Sequence, residues 1–244
     1  MSVFKLQQFS ISQSQSAMKV CTDSLMFGAM APIDFNDTVL DIGAGTGLLS
    51  LMCKQLGASK VTAVELTPEA ACEAALNVSQ SPWPQDITVI NQDILLFEHS
   101  ARYDLVICNP PFFEHHLKND DPLRNTARHT DTLSFASLIK MCKMLCATQG
   151  KIYLLVPIHT VDKINALAKE NQLQLSNRTD FVTLVGGTAK VCALTLQHID
   201  DKEQNNNIPG HQFINIYQSH QHYTLQSEEL LAPFLLRFAK EPES

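Results

Sequence analysis

The heptapeptide Asp41-Ile42-Gly43-Ala44-Gly45-Thr46-Gly47 decides how this chain is read. It closes an apolar run over 37–42, DTVLDI. It then opens a helical pattern in which Leu48, Leu49, Leu51, Met52 and Leu56 share one broad face, with Gly57 as its stop. Glycines between a strand and a helix let the backbone bend tightly and approach a ligand, because no Cβ stands in the way. The spacing is G-x-G-x-G. It is not the G-x-G-x-x-G of dinucleotide folds, and no Gly-Lys-Ser/Thr follows as in a phosphate loop. The carboxylate just ahead of the glycines suits a cationic ligand better than a pyrophosphate. A plain strand-to-helix turn has the same composition, so the surroundings carry the argument.

Outward from the loop, strands and helices alternate. Residues 60–65, KVTAVE, read as a second strand. Thr67-Pro68 supplies an N-cap and a proline at the first helical position for an Ala-rich helix to about Asn77. ITVIN (87–91) and YDLVIC (103–108) are further strands, and Leu133, Phe135, Leu138, Ile139, Cys142 and Leu145 keep helical spacing. Gly150 leads into a fifth strand, KIYLLVP; a helix over about 159–171 follows, then β-rich runs at 173–185 and 189–199 joined by Gly186-Gly187. A strand-like stretch (about 212–217) and a helix (about 227–239) close the chain. This order predicts an α/β fold with a mostly parallel sheet covered on both faces and one antiparallel strand at its end. We expect a single domain over 1–244, with an N-terminal segment over 1–36, a core over 37–199 and a C-terminal extension over 200–244.

Two more acids stand where the glycine loop needs partners. Glu65 ends the second strand, 18 residues after Gly47, a position that accepts hydrogen bonds from ribose hydroxyls in nucleotide-binding sheets. Asp93 follows the third strand, where a carboxylate can accept from an adenine amino group. A lone strand-end acid is usually a turn or cap residue; three at successive strand ends are hard to obtain by chance. The constellation resembles the class I S-adenosylmethionine-dependent methyltransferases. That resemblance implies a Rossmann-like, seven-stranded sheet whose last strand is antiparallel, with S-adenosylmethionine as cofactor and S-adenosylhomocysteine as product. It also implies that Asp41, Gly43, Gly45 and Gly47 hold the methionine portion, Glu65 the ribose and Asp93 the adenine. Leu66, Ile94, Lys19 and Thr22 are expected around the same cofactor.

At the end of the fourth strand stands Asn109-Pro110-Pro111-Phe112. Two prolines stiffen the backbone, remove two donors and present carbonyls. Asn109 offers a side-chain acceptor and Phe112 a flat face. A planar amino group lying on Phe112 can donate one hydrogen bond to Asn109 and one to the Pro110 carbonyl. Its nitrogen lone pair then points at a sulfonium methyl, with no strong base required, and alignment of the reactants supplies most of the barrier reduction. A Pro-Pro turn is the plainer reading of the motif on its own. Next to the glycine loop and the two acids, it resembles the [ND]PP[FYW] signature of methyltransferases that act on exocyclic or amide nitrogen.

Further segments narrow the resemblance. Ala17 to Asp23 (AMKVCTD), Ser81-Pro82-Trp83, Arg124 with Ala127-Arg128-His129-Thr130, and the Tyr223 to Glu229 stretch are similar to the bacterial tRNA(Val) adenine-37 N6-methyltransferases, from about Phe4 to Phe238. Cys21 stands where glycine is expected and Phe112 where tyrosine is common. The family implies a tRNA partner and an adenine in a single-stranded loop, which can be extruded without breaking a base pair. Arg124, Arg128, His129 and Lys19 are the candidate RNA contacts; for Lys19, cofactor and RNA both remain open. Ordinary solvated surface is the plain alternative for each. A protein-glutamine methyltransferase is the main rival. Such enzymes usually carry a helical domain ahead of the glycine loop, and only about 36 residues precede the first strand here. A duplex-DNA methyltransferase normally needs an added recognition domain. A non-catalytic nucleotide-binding module would be free to lose Asn109-Pro110-Pro111-Phe112.

Composition excludes other classes. The chain has 244 residues, a net charge of −7 and an isoelectric point near 5.7, which argues against coating nucleic acid by charge alone. No apolar run approaches the ~18 residues of a membrane span, and no signal peptide is visible. Seven scattered cysteines suit reduced thiols in a cytoplasm. His115-His116, His220-x-His222 and Cys142-x-x-x-Cys146 lack further ligands at metal spacing, so no metal is expected. Cys142 and Cys146 are expected in the core, and Trp83 is expected to pack at a helix end. No feature calls for an obligate protein partner.

Overall fold

The computed structural model describes residues 3–14, 19–98, 100–110, 133–199 and 208–239. Pro111, Phe112, Arg124, Arg128 and His129 lie outside them. Strands β1 (Val3–Lys5) and β2 (Ser10–Ser12) form a small hairpin ahead of helix α1 (Thr22–Ala29). The core follows as β3 (Thr38–Ile42), α2 (Leu48–Gln55), β4 (Lys60–Glu65), α3 (Pro68–Ser79), β5 (Ile87–Asn91) and β6 (Tyr103–Cys108). Then come α4 (Phe135–Leu145), β7 (Cys146–Pro157), α5 (Val161–Glu170), β8 (Leu173–Leu184) and β9 (Val191–His198). The chain ends with β10 (Gly210–Ser219), β11 (His222–Tyr223) and α6 (Leu225–Leu231).

Among the described residues nine strands make one sheet, in the order β11-β10-β8-β9-β7-β6-β3-β4-β5. Strands β3 to β7 are parallel; β9 runs antiparallel between β7 and β8. The expected seven strands are all present, and β10 and β11 extend them. The last of the seven, β9, is antiparallel as expected and lies between β7 and β8; β11, at the edge, is antiparallel to β10. Strands such as TVLDI and YDLVIC read as continuous apolar runs because both of their faces are covered. One face buries Val39, Ala63, Ile107 and Tyr153 with residues of α1 and α2; the other buries Leu40, Val106 and Leu154 with residues of α4 and α5. Phe27 of α1 stacks on Tyr153 at 4.3 Å between ring centroids, 5° from parallel, which fixes α1 to the sheet.

Two element boundaries and one helix cap differ from expectation. β7 begins at Cys146, before Gly150, because α4 passes directly into the strand. The last helix ends at Leu231, as Pro233 cannot continue it; Leu236–Phe238 form a separate 3₁₀ turn. Thr67 precedes α3 but its side chain makes no cap bond; Pro68 at the first position removes one of the donors to be capped. Cys142 and Cys146 are buried, and burial pushes the Cys146 thiol up to about 12. Trp83 packs edge-on to Phe9 at 6.2 Å.

Gly150 sits where the β6–β7 register slips between Tyr103 and Leu105. A Cβ there would stand 2.9 Å from the carbonyl oxygens of both Tyr103 and Asp104 and 2.8 Å from the Cys146 sulfur. Backbone cannot give way as a side-chain tip can. Gly150→Ala is therefore expected to destabilise the protein by about 1–3 kcal/mol, read as a fall of several degrees in Tm. An unchanged Tm would show that the slipped register absorbs the methyl group.

Candidate functional site

The strand order reverses between β3 and β6: β3, β4 and β5 step one way, and the chain then returns to pair β6 on the other side of β3. Ligands in such sheets bind in the crevice outside the carboxyl ends at that point. In register, Ile42 faces Cys108 on one side and Val64 on the other, and Glu65 faces Asn91. Gly43, Asn109, Glu65 and Asn91 therefore stand at one end of four adjacent strands.

Gly43, Gly45 and Gly47 have φ of +70°, +55° and +80°, left-handed values that side-chain-bearing residues adopt at a cost. The Gly43 and Ala44 amides both donate to the Val64 carbonyl, at 2.8 and 3.2 Å, and the Gly47 amide donates to Ala44 at 2.8 Å. The Gly45 amide donates to Glu65 Oε2 at 2.8 Å, and the Thr67 amide to Glu65 Oε1 at 2.8 Å. One carboxylate, 8% exposed, thus ties the glycine loop to the β4–α3 turn. Each oxygen retains a second lone pair, so accepting a hydroxyl as well is sterically and chemically open. Asn91 Nδ2 donates to the carbonyls of Glu65 and Leu66, both at 2.9 Å, which holds Leu66 51% exposed at the strand end.

Asp41 lies beneath the loop, 0% exposed. Ser50 Oγ of α2 donates to its Oδ2 at 2.6 Å, while Oδ1 is buried with no hydrogen-bond partner among the described residues. Burial pushes its carboxyl up to about 7; the Ser50 hydrogen bond opposes this, and repulsion from Glu65 adds to it. Asp41, fully buried, therefore does not line the crevice. Asp93 is half-buried, and its Oδ1 accepts from the Leu95 amide at 2.9 Å, capping the 3₁₀ turn that carries buried Ile94. Asn109 is half-buried and Pro110 buried, directly after β6.

The N-terminal segment is clamped beside the loop by groups the sequence reading did not single out. Asn77 accepts from the Ser12 amide at 2.8 Å and donates to the carbonyls of Ser12 and Thr46, at 3.0 and 2.9 Å. Glu73 Oε1 accepts from the Ser14 amide at 2.6 Å, and Gln13 Oε1 accepts from the Val20 amide at 2.8 Å. The available signal was the pair Glu73 and Asn77, four residues apart on one side of an Ala-rich helix. Ser50, one turn into α2, carried no comparable signal. Lys19 is exposed; Thr22 opens α1 with its hydroxyl 2.9 Å from that of Tyr217 on β10. Cys21 has φ −129° and ψ 164°, ordinary extended values, so no glycine is needed there.

Residues 14–133 match the methyltransferase small domain family. The chain is 35% identical over 96% of its length to a tRNA1(Val) (adenine(37)-N6)-methyltransferase of Shewanella baltica, covering 99% of that protein. It is 44% identical to the protein of the same name from Pseudoalteromonas translucida, over 72% of this chain and 76% of that one. The chain belongs to the tRNA1(Val) (adenine(37)-N6)-methyltransferase family. Solved structures agree on the fold. A protein described as a predicted O-methyltransferase from Agrobacterium tumefaciens superposes with a TM-score of 0.64 at 16% identity, over 86% of this chain and 95% of that one. The tRNA m1G37 methyltransferase of M. jannaschii superposes with a TM-score of 0.61 at 17% identity, over 82% of this chain and 57% of that one. The family's Rossmann-like α/β fold accounts for the strand reversal at β3 and β6.

Two outcomes follow from this geometry. Since the ionised form of Asp41 attracts a cation and its carboxyl sits at about 7, affinity for S-adenosylmethionine is expected to rise as pH rises through 7 and level off above it. Calorimetry across that range checks this; affinity that does not vary with pH would remove the electrostatic role. Glu65→Ala frees two backbone amides along with the acceptor, so it is expected to weaken cofactor binding by about 1–3 kcal/mol and to lower Tm as well.

Proposed function

We propose that this chain transfers a methyl group from S-adenosylmethionine to the exocyclic N6 of adenine 37 in the anticodon loop of tRNA(Val). The observation that carries the reading is the Asn109-Pro110 step at the strand reversal, next to the glycine loop, in a chain of this family. The cofactor fits the residues present. Three left-handed glycines leave the loop open, and a Cβ at Gly43 would meet nothing within 4 Å. The buried Asp41 below, when ionised, would place an unpartnered negative oxygen near a cation held by the loop. Gly43, Gly45 and Gly47 would hold the methionine portion, Glu65 the ribose, and Asp93 with Leu66 and Ile94 the adenine. When bound, S-adenosylmethionine supplies an electrophilic methyl group on a sulfonium.

The protein's part is positioning. The Asn109 side-chain oxygen and the Pro110 carbonyl each accept one hydrogen from the target amino group, which turns the nitrogen lone pair toward the crevice. Phe112 is assigned to stacking on the target base and Pro111 to stiffening the turn, both on the motif alone. No general base is required, because the product nitrogen loses its extra proton to solvent after transfer. Lys19, Arg124, Arg128 and His129 are proposed to contact the RNA, with cofactor contact by Lys19 the alternative; Thr22 is placed in this reading at the cofactor rim.

The experiment is labelled-methyl incorporation into bulk tRNA from a strain lacking the enzyme, followed by nucleoside mass spectrometry. N6-methyladenosine is the expected product, and its absence would overturn the reading. Asn109→Ala is expected to keep cofactor affinity and to lose methyl transfer by about a hundredfold or more, the size of a lost alignment. Unchanged transfer would remove Asn109 from the chemistry.

A further inference from the structure

A second polar cluster lies outside the crevice, on β8 and β10. Asp180 is 3% exposed, and both its oxygens are occupied by Arg178, Nε at 2.6 Å and Nη2 at 2.8 Å. His211 Nε2 stands 3.1 Å from the same carboxylate, and its ring lies against Phe213 at 4.7 Å. Phe213 is 57% exposed, an aromatic ring left in water at the end of a row of polar groups.

The register places this cluster relative to the proposed catalytic step. Asp180 pairs with Phe213 on one side and Cys192 on the other, and Cys192 pairs with Val156. Leu154, two residues earlier, pairs with Cys108, which Asn109 follows. Asp180 and Phe213 are thus level with the Asn109-Pro110 step. They stand on the face of the sheet shared by Cys108, Leu154, Val156 and Cys192, which enter the core against α4 and α5. β8 is three strands from β6, about 14 Å at ordinary interstrand spacing. Between the two, Lys163 of α5 holds its ammonium 5.7 Å from the Phe135 ring at the start of α4. Lys190 is exposed at the mouth of β9. Among the described residues nearby, Lys163, Arg178 and Lys190 against Asp162 and Asp180 sum to +1, in a chain of −7.

A buried carboxylate that grips Nε and Nη2 aims the remaining Nη1 end of the guanidinium in a fixed direction, the arrangement that suits a phosphate oxygen. An exposed ring beside it suits a nucleobase, which stacks whatever its identity. We infer that Arg178, held by Asp180, and Phe213, beside His211, form a docking site for the substrate RNA outside the crevice, Arg178 meeting a backbone phosphate and Phe213 an unpaired base. The inference rests on the proposed function and deepens it: the target adenine enters at Asn109 while flanking nucleotides are held along β8 and β10.

The plainer role is a staple of β10 to β8. The two are separated by binding of a tRNA(Val) transcript measured against salt concentration, alongside Tm. Phe213→Ala, at an exposed position, is expected to weaken RNA binding and raise KM for tRNA roughly tenfold, the scale of one lost base stack. Tm, cofactor affinity and kcat at saturating RNA are expected to stay put. Arg178→Gln is expected to reduce the slope of log affinity against log salt by about one, and Arg178→Lys to restore it. A staple would move Tm and leave that slope alone. Wild-type affinity in Phe213→Ala, or a wild-type slope in Arg178→Gln, overturns the inference. If the wild-type protein binds the transcript but methylates no tRNA, it is the proposed function that falls.

Discussion

Both oxygens of Glu65 accept a backbone amide, Gly45 on one side and Thr67 on the other. The rest of the site depends on that pair. A glycine loop with three left-handed residues has many conformations available when it stands alone, and choosing one costs entropy. A mostly buried carboxylate that accepts two charge-assisted hydrogen bonds from different segments offsets that cost and fixes the loop against the neighbouring strand end. The Val64 carbonyl, accepting from Gly43 and Ala44, and Asn77, donating to Thr46, hold the same loop from two further directions.

The buried acids divide the work by their surroundings. Glu65 is satisfied by amides. Asp41 is satisfied on one oxygen only, and burial lifts its carboxyl to about 7. A half-satisfied buried charge is costly unless a cation compensates it. In this protein the cost is placed under the loop that we assign to a sulfonium ligand. Asp180 shows the third arrangement: its carboxylate is enclosed by one guanidinium and one imidazole. Acidic as the whole chain is, Arg178 stands on β8 and the exposed Lys190 at the start of β9, while Lys60 and Lys151 pair with Asp86 and Asp34 elsewhere. A net charge of −7 disfavours general attraction to nucleic acid and leaves any contact to local groups.

Much of this was legible in the order of residues. DTVLDI, KVTAVE, ITVIN and YDLVIC stand as β3 to β6 within a residue of their expected ends, because a strand buried on both faces must be apolar throughout. Glu65, Asp93 and Asn109 were visible for the same reason: a polar group that closes such a run marks the strand's carboxyl end. Less legible were contacts between segments far apart in the chain. Nothing near Ser50 says that its hydroxyl meets Asp41, nothing near Ser12 says that Asn77 receives it, and Arg178 and His211 converge on Asp180 only once β10 pairs with β8. Asp93 was read as a ligand for adenine; in the fold its Oδ1 caps a 3₁₀ turn, a local use that a carboxylate before an apolar run often has.

The sequence by itself determined the α/β class, the parallel core, the glycine turn and the place of Asn109 at a strand end, because each rests on local spacing and on the periodicity of burial. Only the tertiary structure decided that Asp41 lies under the loop rather than in the crevice, that β9 runs inside the sheet, and that the C-terminal residues extend it. The physical reason is that burial, pairing order and the meeting of distant polar groups are set by how elements pack together, and no single segment encodes its neighbour.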